Sequence, residues 1–227
     1  MKIHSMRHLL LLAISLILCQ CSSIDPAKKA SVKRIVVASN VGREVTRHSI
    51  GFTAFGNKEA TAIRSPELDR SINKVLREEL SGKFQEVIFS PEAPPHVPSN
   101  PFAKHPDYKT WGQALAAKHK ADAVFLITGR YYYPYGAPSY MTAEGLGIWH
   151  QGKVGQVQCY QLIHFLDAQT GKSLAHFSRY FNGRTLPNLE FKANFSDYSS
   201  TEQARIIQAC TDEFRTELAA YLKGIGY

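Results

Sequence analysis

The sequence predicts an α/β (α+β) fold, a mixed sheet of about five strands carrying packed helices, in the order β-α-β-α-β-β-β-α. Three observations predict it. Ile35-Val36-Val37, Val87-Ile88-Phe89 and the apolar run from Ala121 to Gly129 each have the length and bulk of a buried strand. Two stretches of helical periodicity separate them, so the first half alternates as a parallel α/β sheet does. After Gly129, Val154–Leu166 turns through Asp167-Ala168-Gln169-Thr170-Gly171 into Ser173–Phe181, which reads as an antiparallel meander.

The chain has 227 residues, 44% hydrophobic and 20% charged, a make-up that suits one packed domain and excludes general disorder. Residues 1–20 stand apart. Lys2 and Arg7 give a basic start, and Leu9 through Leu18 is apolar except for Ser15. That run is short for a bilayer span and has the build of an export signal. Leu18-Cys19-Gln20-Cys21-Ser22-Ser23 follows. A cysteine after an export core, then small polar residues, resembles the bacterial lipoprotein signal, whose thiol is acylated and becomes the first mature residue. Cys21 fits better than Cys19, because Leu18 lies three before it and Ser22-Ser23 follows. The plainer reading is an ordinary cleaved signal.

Several acyl chains, at about 0.8 kcal/mol per buried CH₂, hold a protein on a membrane stably. Maturation at Cys21 removes Lys2 and Arg7, so the net charge of +8 falls to +6. Ser22 resembles the residue that sends lipoproteins to the outer membrane. Residues 21–31 read as a tether, and 32–227 as a single periplasmic domain. Lys28, Lys29, Lys33 and Arg34 form a basic cluster beside the anchor. Each gains about 1 kcal/mol near an anionic surface, or the cluster is simply a solvated tether. An exported chain does not meet nucleic acid, so the basic balance is no evidence for binding it.

Along the domain, residues 43–64 are ambiguous, with Ile50, Phe52 and Phe55 fitting an edge strand or a loop. Ser65-Pro66-Glu67 starts a helix: a side-chain cap, a proline needing no N–H, and an acid in the first turn. Leu68, Ile72, Val75, Leu76 and Leu80 follow at helical spacing, and Gly82 ends it. Residues 91–106 are a proline-rich loop in which Pro91, Pro94, Pro95, Pro98, Pro101 and Pro106 prevent regular pairing. A helix capped by Asp107 or Thr110 follows, with Trp111, Leu115 and Ala116 inward. The last helix starts near Ser200, with Ser200-Thr201-Glu202-Gln203 as its capping box and Ile207, Cys210, Phe214, Leu218, Tyr221 and Leu222 as its apolar stripe.

Residues 131–155 form an aromatic loop. Tyr131, Tyr132, Tyr133, Tyr135, Tyr140 and Trp149 are the candidate partner-binding residues, since such rings offer rigid area with a polar tip. A long hairpin with locally packed tyrosines fits the same composition.

Several of these residues carry a family resemblance. They are Leu80-Ser81-Gly82-Lys83-Phe84, then Trp111 and Leu115 before Ala121-Asp122-Ala123-Val124, then Phe165 to Leu174 with its Asp167-x-x-Thr170-Gly171 turn. Over about residues 32–223 the chain resembles the envelope α/β module of the TolB amino-terminal domain, the curli secretion lipoprotein CsgG and the lipoprotein activators of peptidoglycan synthases. The resemblance implies a non-catalytic periplasmic part that docks onto other envelope proteins or copies of itself. Curli relatives form pores with long amphipathic hairpins. Residues 131–155 alternate too poorly to suggest one.

Cys159 and Cys210 remain after maturation, and the spacing admits either a helix-to-sheet disulfide or two buried thiols. His48, His96, His105, His119, His150, His164 and His176 lack zinc-site spacing, so no metal or cofactor is expected. Gly145-Leu146-Gly147 lacks the third glycine of a phosphate loop, and no nucleophile elbow is present. The expectation is a lipid-anchored, non-catalytic protein binder. The alternative is a binder or hydrolase directed at cell wall or glycan, peptidoglycan included.

Overall fold

The computed structural model describes residues 24–42, 45–49, 58–63, 65–95, 104–129, 145–151, 153–175, 183–192 and 194–227. The elements run α1 (Pro26–Ser31), β1 (Arg34–Ser39), β2 (Val45–Ser49), β3 (Lys58–Ile63), α2 (Pro66–Leu80), β4 (Glu86–Phe89) and α3 (Tyr108–His119). They continue with β5 (Ala123–Gly129), β6 (Gly145–Gln151), β7 (Val154–Asp167), β8 (Ser173–Ala175), β9 (Arg184–Pro187), a 3₁₀ turn at Phe195–Asp197, and α4 (Ser200–Gly224). The predicted mixed α/β class is the observed one.

β7 is the hub. Its 14 residues are long enough to serve two neighbours in succession. The second half pairs antiparallel with β5, from Ala123↔Asp167 to Gly129↔Gln161, and the first half with β6, from Gly145↔Tyr160 to Gln151↔Val154. A Cβ on Gly145 would lie 3.8 Å from the Gly129 Cα, so β5 and β6 follow one another along the same edge of β7. β1 runs parallel to β5, and β2 parallel to β6. Two five-stranded sheets, β4-β1-β5-β7-β8 and β3-β2-β6-β7-β9, thereby share β7.

Alternation along the buried strands divides the core into two layers. Ile35, Val37, Phe125, Ile127 and Phe165 face α2 and α4, meeting Leu68, Ile72, Leu76, Phe214 and Leu218. Val36, Ala38, Val124 and Leu126 face α3, meeting Leu115 and Ala116. Each such Val, Leu, Ile or Phe side chain contributes about 1.5–3 kcal/mol on burial. The helix starts follow the sequence signals. The Ser65 hydroxyl accepts from the Leu68 amide with Pro66 first in the helix, and the Asp107 carboxylate accepts from the Thr110 amide.

The structure corrects several boundaries. Residues 24–31 are not tether: Ile24 is 4% exposed in the main core and Pro26–Ser31 is helical, so the packed domain starts eight residues earlier than 32. The loop predicted over 131–155 is overturned at Gly145–Gln151, a strand paired on both sides, and at Val154 and Gly155, which open β7, while residues 131–144 lie outside the described residues. Within residues 43–64 lie the hairpin strands β2 and β3, while Ile50, Phe52 and Phe55 fall outside the described residues. Of the segment Ser173–Phe181, only Ser173–Ala175 is a described strand. Ser199, not Ser200, caps α4: its side chain accepts from the Glu202 amide, and Glu202 reaches back to the Ser199 amide. Ile206, rather than Ile207, is fully buried on that helix.

Candidate functional site

Helix α1 has six residues, too few to be stable alone, so its position depends on what holds it. Asp25 caps it, accepting from the Ala27 amide at 2.9 Å. Ile24 and Val32 on either side are buried in the core. Lys28 forms an ion pair with Asp167. Lys29 donates to the Gly226 carbonyl, and its ammonium lies 4.4 Å from the Tyr227 ring centroid, a cation–π distance.

Between α1, the residues leading into β1 and the turn after α2 lies a groove of about 360 Å³. Pro26, Lys29, Ala30, Val32, Lys33, Lys83, Phe84, Gln85 and Tyr227 line it. Three of these are lysines and none is acidic. The Phe84 and Tyr227 rings pack 4.7 Å apart. Two carboxylates beside the lining are engaged elsewhere. Asp122 accepts from the Lys33 and Arg34 amides at 2.9 and 2.8 Å, and Glu86 pairs with Arg34 at 2.5 Å. Among the described residues, Lys33 and Lys83 form no ion pair.

The residues that carry the family resemblance have structural roles here. Asp167 Oδ1 accepts from the Gln169 amide at 3.1 Å, the Thr170 amide at 2.7 Å and the Thr170 hydroxyl at 2.9 Å, closing the β7–β8 turn. Burial alone would raise the Asp167 pKa, but Lys28 and the Thr170 donors outweigh it and hold the carboxyl below the usual range. Gly171 takes φ +63°, and a Cβ there would meet Lys109 Cγ at 2.4 Å, so glycine is required.

Of the residues singled out for lipid attachment, binding or a disulfide, Trp149, Cys159 and Cys210 are among the described residues. Cys19 and Cys21 lie outside the described residues, as do Tyr131, Tyr132, Tyr133, Tyr135 and Tyr140. Trp149 is described, and it is not a surface residue: it sits on β6 at 5% exposure, on the opposite side of the strand from Leu146 and Ile148. Cys159 and Cys210 are free, buried thiols. Burial pushes Cys210 up to about 12 and Cys159 well above the usual thiol value, with Glu217 and Glu213 adding to the rise at Cys159. Both are protonated at neutral pH and unfit as nucleophiles.

His150 has a role that sequence reading did not find. It is fully buried, with Nδ1 3.2 Å from the Leu189 carbonyl and Nε2 3.5 Å from the Tyr198 hydroxyl. The Tyr198 oxygen also accepts from the Lys192 amide at 3.1 Å. The imidazole thereby fastens the segment after β9 onto β6.

The groove was also missed, although Lys29 and Lys33 stood in a visible basic cluster. Lys83, Phe84 and Tyr227 come from distant parts of the chain, and nothing local signals that they meet. Among the described residues, no group of three His, Cys, Asp or Glu side chains could hold a metal ion, and no helix is long and apolar enough to cross a membrane. No protein-family model matches this chain, and no curated protein matches it.

Proposed function

We propose that this chain is a lipoprotein of the bacterial outer membrane, anchored through acylated Cys21, whose periplasmic domain binds other envelope proteins or copies of itself without catalysing a reaction. The export signal and the Cys21 context support the anchor. The observation that carries the binding reading is the meeting of Gly129 and Gly145 on β7. Because β5 and β6 follow one another along that edge, the sheet does not need residues 130–144 to connect them. Five tyrosines sit in this insertion. Tyrosine-rich segments carried on a fixed scaffold are common contact surfaces.

A photo-crosslinking side chain at Tyr132 or Tyr135 tests this in living cells. The expected result is a discrete adduct with one envelope protein or with a second copy, reduced when the remaining tyrosines of the insertion are replaced by serine. Trp149 is left intact, because removing a buried ring tests folding and not contact. Absence of any adduct from both positions, with the protein present in the membrane fraction, contradicts the binding reading. Co-sedimentation with purified cell wall that survives serine replacement favours the glycan-directed alternative.

A further inference from the structure

We propose that the groove between α1 and the turn after α2 seats the phosphate headgroup of an anionic phospholipid, in the same membrane that holds the anchor. The inference rests on the anchored reading above and adds a second, reversible contact to it.

Chain length makes the first argument. Cys21 and Ile24 are three peptide units apart, a reach of at most about 11 Å at full extension. Ile24 is packed in the core, and Pro26 two residues later lines the groove. An acyl group on Cys21 therefore keeps this end of the domain at the bilayer surface, where a long tether would have let it turn away.

Charge makes the second. Lys29, Lys33 and Lys83 face one concavity with no acidic side chain in its lining. Lys29 is occupied by neutral partners, the Gly226 carbonyl and the Tyr227 ring, so its charge is oriented but not cancelled. A solvated basic face needs no concavity. This one has the volume of a small-ligand cleft, with Phe84 and Tyr227 as an apolar side for the carbons next to a phosphate.

The test uses the full chain with vesicles of phosphatidylcholine, with and without phosphatidylglycerol, and reads the acetylation rate of each lysine by mass spectrometry. With phosphatidylglycerol, Lys29, Lys33 and Lys83 should react roughly fivefold more slowly, the factor expected per lysine at an anionic surface. Lys74 and Lys153, outside the groove and 76% and 78% exposed, should keep their rates. In the variant combining Lys33→Gln with Lys83→Gln, phosphatidylglycerol should no longer slow Lys29.

Equal rates in the two vesicles overturn the proposal, and so does slowing that includes Lys74 and Lys153 equally. Glycerol phosphate added to phosphatidylcholine vesicles should leave the rates unchanged. If it protects as well as the lipid does, the groove binds a soluble phosphate ester and the lipid assignment is wrong. Flotation with pure phosphatidylcholine vesicles reports the anchor separately. Its loss counts against the anchored reading, while the comparison of lysine rates with and without phosphatidylglycerol still decides the groove.

Discussion

Lys28 on the first helix and Asp167 at the end of the hub strand form an ion pair in which the carboxylate is nearly inaccessible, at 4% exposure, and the lysine remains 38% exposed. The contact ties the shortest helix to the turn that closes β7 and β8. Lys28→Met should cost about 1 kcal/mol, modest because the cation is partly solvated and screened. Asp167→Ala should cost about 2 kcal/mol or more, because the Thr170 donors lose their acceptor as well. Denaturant titration of both variants checks the order.

The same carboxylate makes a pH prediction. Its folded pKa lies below the usual aspartate value of 3.8, so its stabilisation is fully present above that value. It is lost as pH falls through the lowered folded value. Asp167→Asn should therefore flatten the acid limb of the stability curve, measured by circular dichroism across an acid titration.

Two glycines with positive φ separate strain from collision. Gly42 has φ +93°, and a Cβ there would lie 2.7 Å from Ile72 Cγ1 in the core. Gly82 has φ +73° with nothing within 4 Å. Gly82→Ala should cost about 1 kcal/mol of backbone strain, and Gly42→Ala about 2–3 kcal/mol, since Ile72 must move too. Equal losses in equilibrium unfolding would contradict the packing of the turn after β1 against α2.

Buried Glu213 makes the opposite pH prediction. Burial raises its pKa, opposed by Arg184, so the folded state holds its proton more tightly than the unfolded chain does. Stability then declines as pH rises from the unfolded glutamate value toward the raised folded one, and below both values the residue has no effect. Glu213→Gln should stabilise the protein at neutral pH and change nothing in acid. The neighbouring thiols supply a second readout: Cys159 and Cys210 should be silent to a thiol reagent in the native protein and react together on unfolding.

At the start of α4, Ser199→Ala should cost about 1 kcal/mol by removing the cap. The hydrogen bonds from Lys192 and from Ser199 hold the Glu202 carboxyl at about 2. The stabilisation from this box should be complete above the usual glutamate value, decline as pH falls below it, and be lost by about 2, which thermal unfolding at stepped pH measures.

The long apolar runs were legible in the sequence because they are buried on both faces, as Val36 and Val37 or Val124 and Phe125 are. β6 was hidden by Gly145 and Gly147, which lower strand propensity and sit beside a tyrosine-rich insertion. α1 was hidden because it has no apolar period of its own: its hold on the core comes from Ile24 and Val32 outside it. On α4 the buried position is Ile206, one before the Ile207 of the predicted stripe. Buried Glu213 and Glu217 widen that face, and no polarity-based reading places two carboxylates there. The groove needed the fold itself, since only the fold brings residues 26–33 to Lys83, Phe84 and Tyr227.

The intact mass of the mature protein, taken from bacterial membranes, tests the central claim most directly. The account predicts a chain that begins at acylated Cys21 and becomes soluble when Cys21 is replaced by serine. An unmodified start beyond residue 21, or a cytosolic protein retaining its first twenty residues, would contradict it.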